Sequence, residues 1–185
     1  MTDVSLDSRF SVSFSLTDSE AITYHPETRD HDAQIEQINK MVFGPGRFTR
    51  ASYLLREEGR HNCQFSFVAC LGGNVIGSVR MTPITVGEQA AYLLGPLVVR
   101  PEYKNAGVGR KLMYMTLHAA KNHNVVLVIL IGDKKYYGRF GFKNVEHKQI
   151  HMPAPVDPKR LLILELQEGA LLKVAKGKVR YRSCN

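Results

Sequence analysis

Tryptophan is absent from the 185 residues, cysteine occurs three times, and no apolar run approaches the length of a membrane span. Cys63, Cys70 and Cys184 form neither a C-x-x-C pair nor a zinc-like spacing. A disulfide framework and a structural zinc site therefore drop out, and the usage fits a reducing cytoplasm. The longest uniformly apolar stretch, 125–131, is far short of the ~20 residues a transmembrane helix needs. The first twenty residues carry Asp7, Arg9, Asp18 and Glu20 among Ser and Thr, without the apolar core of a signal peptide. There is no internal repeat and no low-complexity linker. With 44% hydrophobic and 23% charged residues, the composition excludes collagen-like, coiled-coil and wholly disordered chains and points to one domain with a sizeable core.

Acids are scarcer than bases, giving a formal charge of +8. The surplus implies an anionic partner, whether nucleic acid, a membrane surface or a phosphorylated small molecule. Its position narrows the choice. Residues 1–60 hold ten acids and seven bases, whereas 100–143 hold nine bases against Glu102 and Asp133.

The order of elements reads as α/β. Residues 10–16 alternate like an edge strand, and a helix capped near Asp30 carries Ala33, Ile35, Ile38 and Val42 before Gly44 stops it. A second helix is expected over 47–58. Strands over 65–71 and 75–79 flank Gly72-Gly73-Asn74, a hairpin signal. A nearly all-apolar strand runs over 91–99, its ladder interrupted at Pro96, which has no N–H to donate. Val108, Leu112, Met115 and Ala119 mark one face of a helix over 107–122. A buried strand over 125–131, a helical turn near 136–139, a strand beginning at Phe142 and a last strand over 161–166 complete a mixed sheet with helices.

Chemistry concentrates where the 91–99 strand meets the long helix. Gly107 and Gly109 let the backbone turn tightly and leave free N–H groups at the helix start, an arrangement that holds phosphate. Arg110 and Lys111 sit in the first helical turn, where the macrodipole disfavours cations by ~0.3–1 kcal/mol each, a cost a bound anion would reverse. The blander alternative is a glycine turn with solvated charges on its rim. The sequence has no G-x-x-x-x-G-K-[S/T], and Gly107-Val-Gly109 lacks the third glycine of a dinucleotide fingerprint.

Residues 94–113, Leu-Gly-Pro-Leu-Val-Val-Arg-Pro-Glu-Tyr-Lys-Asn-Ala-Gly-Val-Gly-Arg-Lys-Leu-Met, resemble motif A of the GCN5-related N-acetyltransferase (GNAT) superfamily. Residues 132–142, Gly-Asp-Lys-Lys-Tyr-Tyr-Gly-Arg-Phe-Gly-Phe, resemble its motif B in the YhbS-type subgroup, as do 44–48 and 161–170. The resemblance implies a single GNAT-type domain over 21–185, with 1–20 as an N-terminal extension. It implies a mixed central β-sheet flanked by helices, whose splayed central strands form an acetyl-CoA cleft. The backbone amides of Lys104, Asn105, Ala106, Gly107, Val108, Gly109 and Arg110 would cradle the CoA pyrophosphate. Leu97, Val98 and Val99 would lie beside the pantetheine arm as an added strand would, with an N–H near Leu97 or Val98 polarising the thioester carbonyl. Tyr137 takes the family's general-acid position toward the CoA thiolate, and Tyr136 is its neighbour if the register slips by one.

The chain departs from the family pattern at Lys104, which replaces the arginine or glutamine opening the glycine turn, and at Gly132-Asp133, which stands where an asparagine is frequent. No general base is evident. Glu88 could act through water, though a solvated loop carboxylate is the commoner role.

The implied activity is transfer of an acetyl group from acetyl-CoA to a primary amine of a small molecule or peptide, with no metal and no membrane, and with a homodimer compatible. The rival is a noncatalytic acetyl-CoA-sensing or basic nucleic-acid-binding module. It lacks stacking aromatics and a helix-turn-helix, although Lys173, Lys176, Lys178, Arg180 and Arg182 form a basic tail whose alternative is a solvated edge strand. His147 and His151 are spaced four apart beside Glu146, but without a third strong ligand they make a poor metal site. His118 falls off the apolar stripe of its helix, and Cys63 and Cys70 read as buried, inert thiols.

Overall fold

A computed structural model describes residues 21–146, 149–173 and 177–183. The strands are β1 (Thr23–Pro26), β2 (Phe67–Leu71), β3 (Asn74–Val86), β4 (Gln89–Val99), β5 (Leu127–Ile131), β6 (Lys143–Asn144), β7 (Ile150–His151), β8 (Leu161–Glu165) and β9 (Gly177–Tyr181). They build a mixed sheet in the order β1-β2-β3-β4-β5-β8-β6, with β9 pairing both β3 and β7. Among the described residues, only β4–β5 and β7–β9 are parallel. The helices are α1 (Asp32–Phe43), α2 (Ala51–Glu57), α3 (Val108–Asn122) and the single turn α4 (Lys134–Tyr137). Among the described residues, no helix is long and apolar enough to cross a membrane.

The period-two alternation of side chains along a strand divides the core between two layers. Val128 and Leu130 of β5 join Tyr92, Leu94, Leu112 and Met113 under α3. Leu127 and Ile129 point the other way, to Leu55 of α2, Ile84 and Leu93. Ile35 and Ile38 of α1 cover Val68, Val75 and Val98 beside them. Helices on both faces explain why β4 and β5 read as continuous apolar runs.

Several elements differ from the sequence expectation, each for a physical reason. The second helix begins at Ala51, because residues 45–49 form a 3-10 turn and Arg50 is extended at φ −78°, ψ 139°. The strand expected to end at Val79 continues to Val86 through Pro83. Pro83 pairs with Tyr92 on β4, and its carbonyl accepts from Arg182 N on the other side. That side needs no N–H from position 83, because β2 pairing ends at Val79 and β9 pairing starts at Ile84.

On α3 the fully covered line is Val108, Leu112, Met113, Thr116 and Ala120, with Met115 and Ala119 at its margin. Thr116 is buried because its hydroxyl donates to the Phe65 carbonyl, so an apolar count passes over it. Cys70 is buried but Cys63 is exposed, in the 3-10 turn before β2. Lys178 and Arg180 are the exposed alternate residues of β9, whereas Arg182 lies over the Tyr92 ring at 5.8 Å. The expected strand over 10–16, His147, Lys176 and Cys184 fall outside the described residues.

Candidate active site

Strands β4 and β5 pair only at Tyr92 with Val128 and Leu93 with Ile129. Beyond Leu93 they part. Across β3, Val79 opposes Leu97 and Met81 opposes Leu94, so Gly95 and Pro96 together face Arg80 as a bulge. A bulge bends its strand and adds twist, which carries the Leu97–Val99 end of β4 away from β5. Among the described residues, no strand pairs with β4 on that side between Leu94 and Val99. The result is a wedge-shaped gap in the middle of the sheet, with backbone polar groups free to serve a ligand.

At the outer end of β4 the chain turns through Pro101–Tyr103 into α3. Asn105 has φ 65°, and the N-cap Gly107 has φ 81° in the left-handed region. Glycine takes that conformation without the ~1–2 kcal/mol cost a β-carbon imposes. No side chain caps the helix, its first turn has no acid, and the first helical bond runs from Lys111 N to Gly107 O. Among the described residues, nothing accepts from the N–H groups of Gly107, Val108, Gly109 or Arg110. These donors suit a polyphosphate, and the exposed Lys104, Arg110 and Lys111 add charge around them. Arg100 is differently engaged: its Nε donates to the Val75 carbonyl at 2.8 Å.

At the inner end lies a cavity of about 400 Å³, walled by α1, α2, β3, the bulge at Gly95 and Pro96, and the residues after β5. Tyr137 lines it. A Cβ on Gly132 would stand 2.2 Å from Tyr137 Cε2 and 2.6 Å from its Cδ2, so the tyrosine ring packs into the space that a side chain at 132 would take. Burial, helped by the neighbouring Tyr136, pushes the Tyr137 phenol up to about 12, against a smaller opposing pull from Arg160 and Arg56. It is protonated at neutral pH. Tyr136 points elsewhere: a Cβ on Gly109 would be 3.2 Å from its hydroxyl, and Arg139 stacks on its ring at 5.1 Å.

Arg80 and His61 of the cavity wall are held from behind by an ion cluster. Glu27 is 4% exposed, and Arg80 Nε reaches its two oxygens at 2.9 and 3.0 Å. Arg80 also pairs with Asp32, and His61 Nε2 lies 3.0 Å from Glu27 Oε1. Burial pushes the Glu27 carboxyl up, but the hydrogen bonds and charges of His61 and Arg80 outweigh it and hold the group below its ordinary 4.5. Glu88 is exposed in the β3–β4 turn and does not line the cavity. His118 is exposed on α3, with Nε2 3.0 Å from Asn122.

Of the sequence-predicted residues, Leu97 and Tyr137 line this cavity, Val98 is buried against α1, and the amides of 107–110 are free beyond the outer end of β4. What sequence reasoning missed is the part of the cavity wall made by Asn39, Arg56 and Arg80, with Glu27 buried behind Arg80. These come from four separate segments, and no motif spacing marks them.

The family model described as acetyltransferase (GNAT) matches residues 32–142. The chain belongs to that family, whose members transfer acyl groups from acetyl-CoA. It is 32% identical over 111 residues to the uncharacterized N-acetyltransferase YhbS of Escherichia coli K12, covering 59% of this chain and 66% of that protein. A second Escherichia coli K12 relative, the uncharacterized N-acetyltransferase YjhQ, is 26% identical over 125 residues, covering 65% and 69%. The crystal structure of Escherichia coli YhbS in complex with CoA superposes with a TM-score of 0.75 at 25% identity, covering 89% of this chain and 92% of that one. A Brucella melitensis GNAT acetyltransferase solved with acetyl-CoA shares the fold, with a TM-score of 0.66 at 24% identity and coverage of 89% and 97%.

Proposed function

We propose that this protein transfers the acetyl group of acetyl-CoA to a primary amine that enters the cavity beside Tyr137. When bound, acetyl-CoA supplies an activated acyl carbon, which the amine attacks directly. The amides of Gly107 to Arg110, with Lys104 to Ala106 leading into them, hold the pyrophosphate. Leu97, Val98 and Val99 offer the free edge of β4 to the pantetheine arm, and an N–H near Leu97 or Val98 faces the carbonyl oxygen as charge develops there. Tyr137 holds a proton for the departing thiolate. The carrying observation is the course of β4: its pairing with β5 ends at Leu93, its edge beyond is unpaired among the described residues, and Leu97 lines the same cavity as Tyr137.

Titration calorimetry with acetyl-CoA tests the reading. One-to-one saturable binding is expected, followed by acceptor-dependent CoA release in a screen of amines, amino acids, aminoglycosides and peptides. Absence of acetyl-CoA binding, with duplex DNA bound in a steeply salt-dependent manner, would establish the nucleic-acid module instead.

A further inference from the structure

Arg56 is a partly buried cation of the cavity wall that the described residues leave without an ion pair. Arg56 extends from α2 toward the bulge, where a Cβ on Gly95 would stand 3.1 Å from its Nη2. Its Nε is buried with no hydrogen-bond acceptor, and among the described residues no carboxylate lies within ion-pair distance. Arg160 of the same wall is exposed to solvent, and the remaining three arginines are engaged. Arg47 pairs with Glu36, Arg80 with Glu27 and Asp32, and Arg50 lies over the Phe43 ring at 5.1 Å. Burial, reinforced by Arg80 and Arg50, pulls the Arg56 guanidinium down to about 10, so it stays charged at neutral pH.

An unpaired charge withdrawn from water destabilises a fold, and packing alone would favour an apolar side chain there. Asn39 Oδ1 and Thr82 Oγ1 are further buried polar atoms of the same wall with no partner. Buried polar groups are ordinarily satisfied, so several orphans around one opening mark where a polar ligand completes the set.

We propose that Arg56 receives the carboxylate of the acceptor, so that the amine acetylated here belongs to a small amino-carboxylate, an amino acid. The inference rests on the acetyltransferase reading and narrows its acceptor. A guanidinium presents a planar fork of donors that matches a carboxylate in two parallel hydrogen bonds. A volume of about 400 Å³ holds a molecule of this size. The cavity wall carries five arginines against three carboxylates, a balance that opposes polyamines and aminoglycosides.

Calorimetry on the CoA-loaded protein tests this without turnover. The probes are the N-acetyl derivatives of glycine and the other nineteen common amino acids, each compared with its carboxamide. At least one acid should bind tenfold or more tighter than its amide. Arg56→Gln should reduce that preference to within twofold while CoA affinity stays within twofold and the melting temperature holds or rises. In turnover, the same amino acid should exceed its decarboxylated amine in kcat/KM by at least tenfold, the difference residing in KM. Equal binding of acid and amide, a preference that survives Arg56→Gln, or no binding by any of the twenty acids overturns the proposal. Failure to bind acetyl-CoA instead overturns the acetyltransferase reading beneath it.

Discussion

Replacing Tyr137 by phenylalanine removes one oxygen from the cavity and leaves the ring packed on Gly132. The size of the expected loss follows from the environment of the phenol. With its pKa at about 12 and a free thiol near ~8.5, complete transfer of the proton to a thiolate is uphill by about 3.5 in pKa, or roughly 5 kcal/mol. The hydroxyl therefore works chiefly as a hydrogen-bond donor to sulfur as charge develops. A hydrogen bond to a charged group contributes about 1.5–3 kcal/mol, which converts to a loss of roughly 10- to 150-fold in rate. That lies toward the lower end of general acid catalysis, for which ~100- to 10,000-fold is usual. The loss should appear in kcat, measured by single-turnover CoA release at saturating acetyl-CoA, while calorimetric affinity for acetyl-CoA changes less than twofold. Tyr136→Phe is the comparison, because its hydroxyl lies by Gly109 rather than in the cavity, and it should lose less than fivefold. An unchanged rate for Tyr137→Phe under chemistry-limited conditions, or a greater loss for Tyr136→Phe, refutes the assignment.

Gly132→Ala should reproduce the Tyr137→Phe defect, since its Cβ at 2.2 Å displaces the ring; the double variant should be no slower than the worse single one, and additive losses would count against the contact. Glu27→Gln strands Arg80 and should destabilise the fold by about 3–5 kcal/mol, the range for breaking a buried pair from one side. Asp32→Asn should cost no more than ~1 kcal/mol because its side chain is 57% exposed, and thermal melts distinguish the two. The Glu27 carboxyl is held below 4.5 in the fold, so its stabilisation is complete above that pH and drains away as acid protonates the folded form. The melting temperature of the wild type should therefore fall more steeply below pH 4.5 than that of Glu27→Gln. Gly107→Val places a β-branched residue at φ 81° over the free amides and should weaken acetyl-CoA binding at least tenfold; unaltered affinity by calorimetry would dismiss that turn as the phosphate cradle.

The cofactor half of the site was legible in the sequence and the acceptor half was not, for reasons of construction. Backbone conformation builds the cofactor half. A turn with Asn105 and Gly107 at positive φ and a strand bent at Gly95-Pro96 must be written in glycine, asparagine and proline, and those residues stand together within 94–109. Side chains build the acceptor half. Glu27 follows β1, Asn39 lies on α1, Arg56 on α2 and Arg80 on β3, and each alone reads as an ordinary surface polar residue. Only the pairing of β1 with β2 and of β2 with β3 brings Glu27 to Arg80, 53 positions away. The misplaced elements have the same origin. Pro83 looks like the end of a strand until the gap between β2 and β9 is known, and Thr116 looks solvent-facing until the Phe65 carbonyl is found beside it.

The two kinds of positive charge in this molecule also differ in what they cost and hence in what they signify. Lys104, Arg110 and Lys111 are exposed around the glycine turn. Water solvates them when no ligand is present, so they add attraction for a polyphosphate at little expense to the free fold. Arg56 has no such reserve. Its Nε is buried without an acceptor, the side chain is only partly exposed, no carboxylate pairs with it among the described residues, and Arg50 and Arg80 repel it. A net charge of +8 treats these cations alike. The solvated cluster accounts for affinity toward the shared cosubstrate, whereas a desolvated charge discriminates, because a ligand that fails to neutralise it leaves its cost standing. On the proposed reading, selectivity for the acceptor resides in the cation that contributes least to the stability of the empty protein.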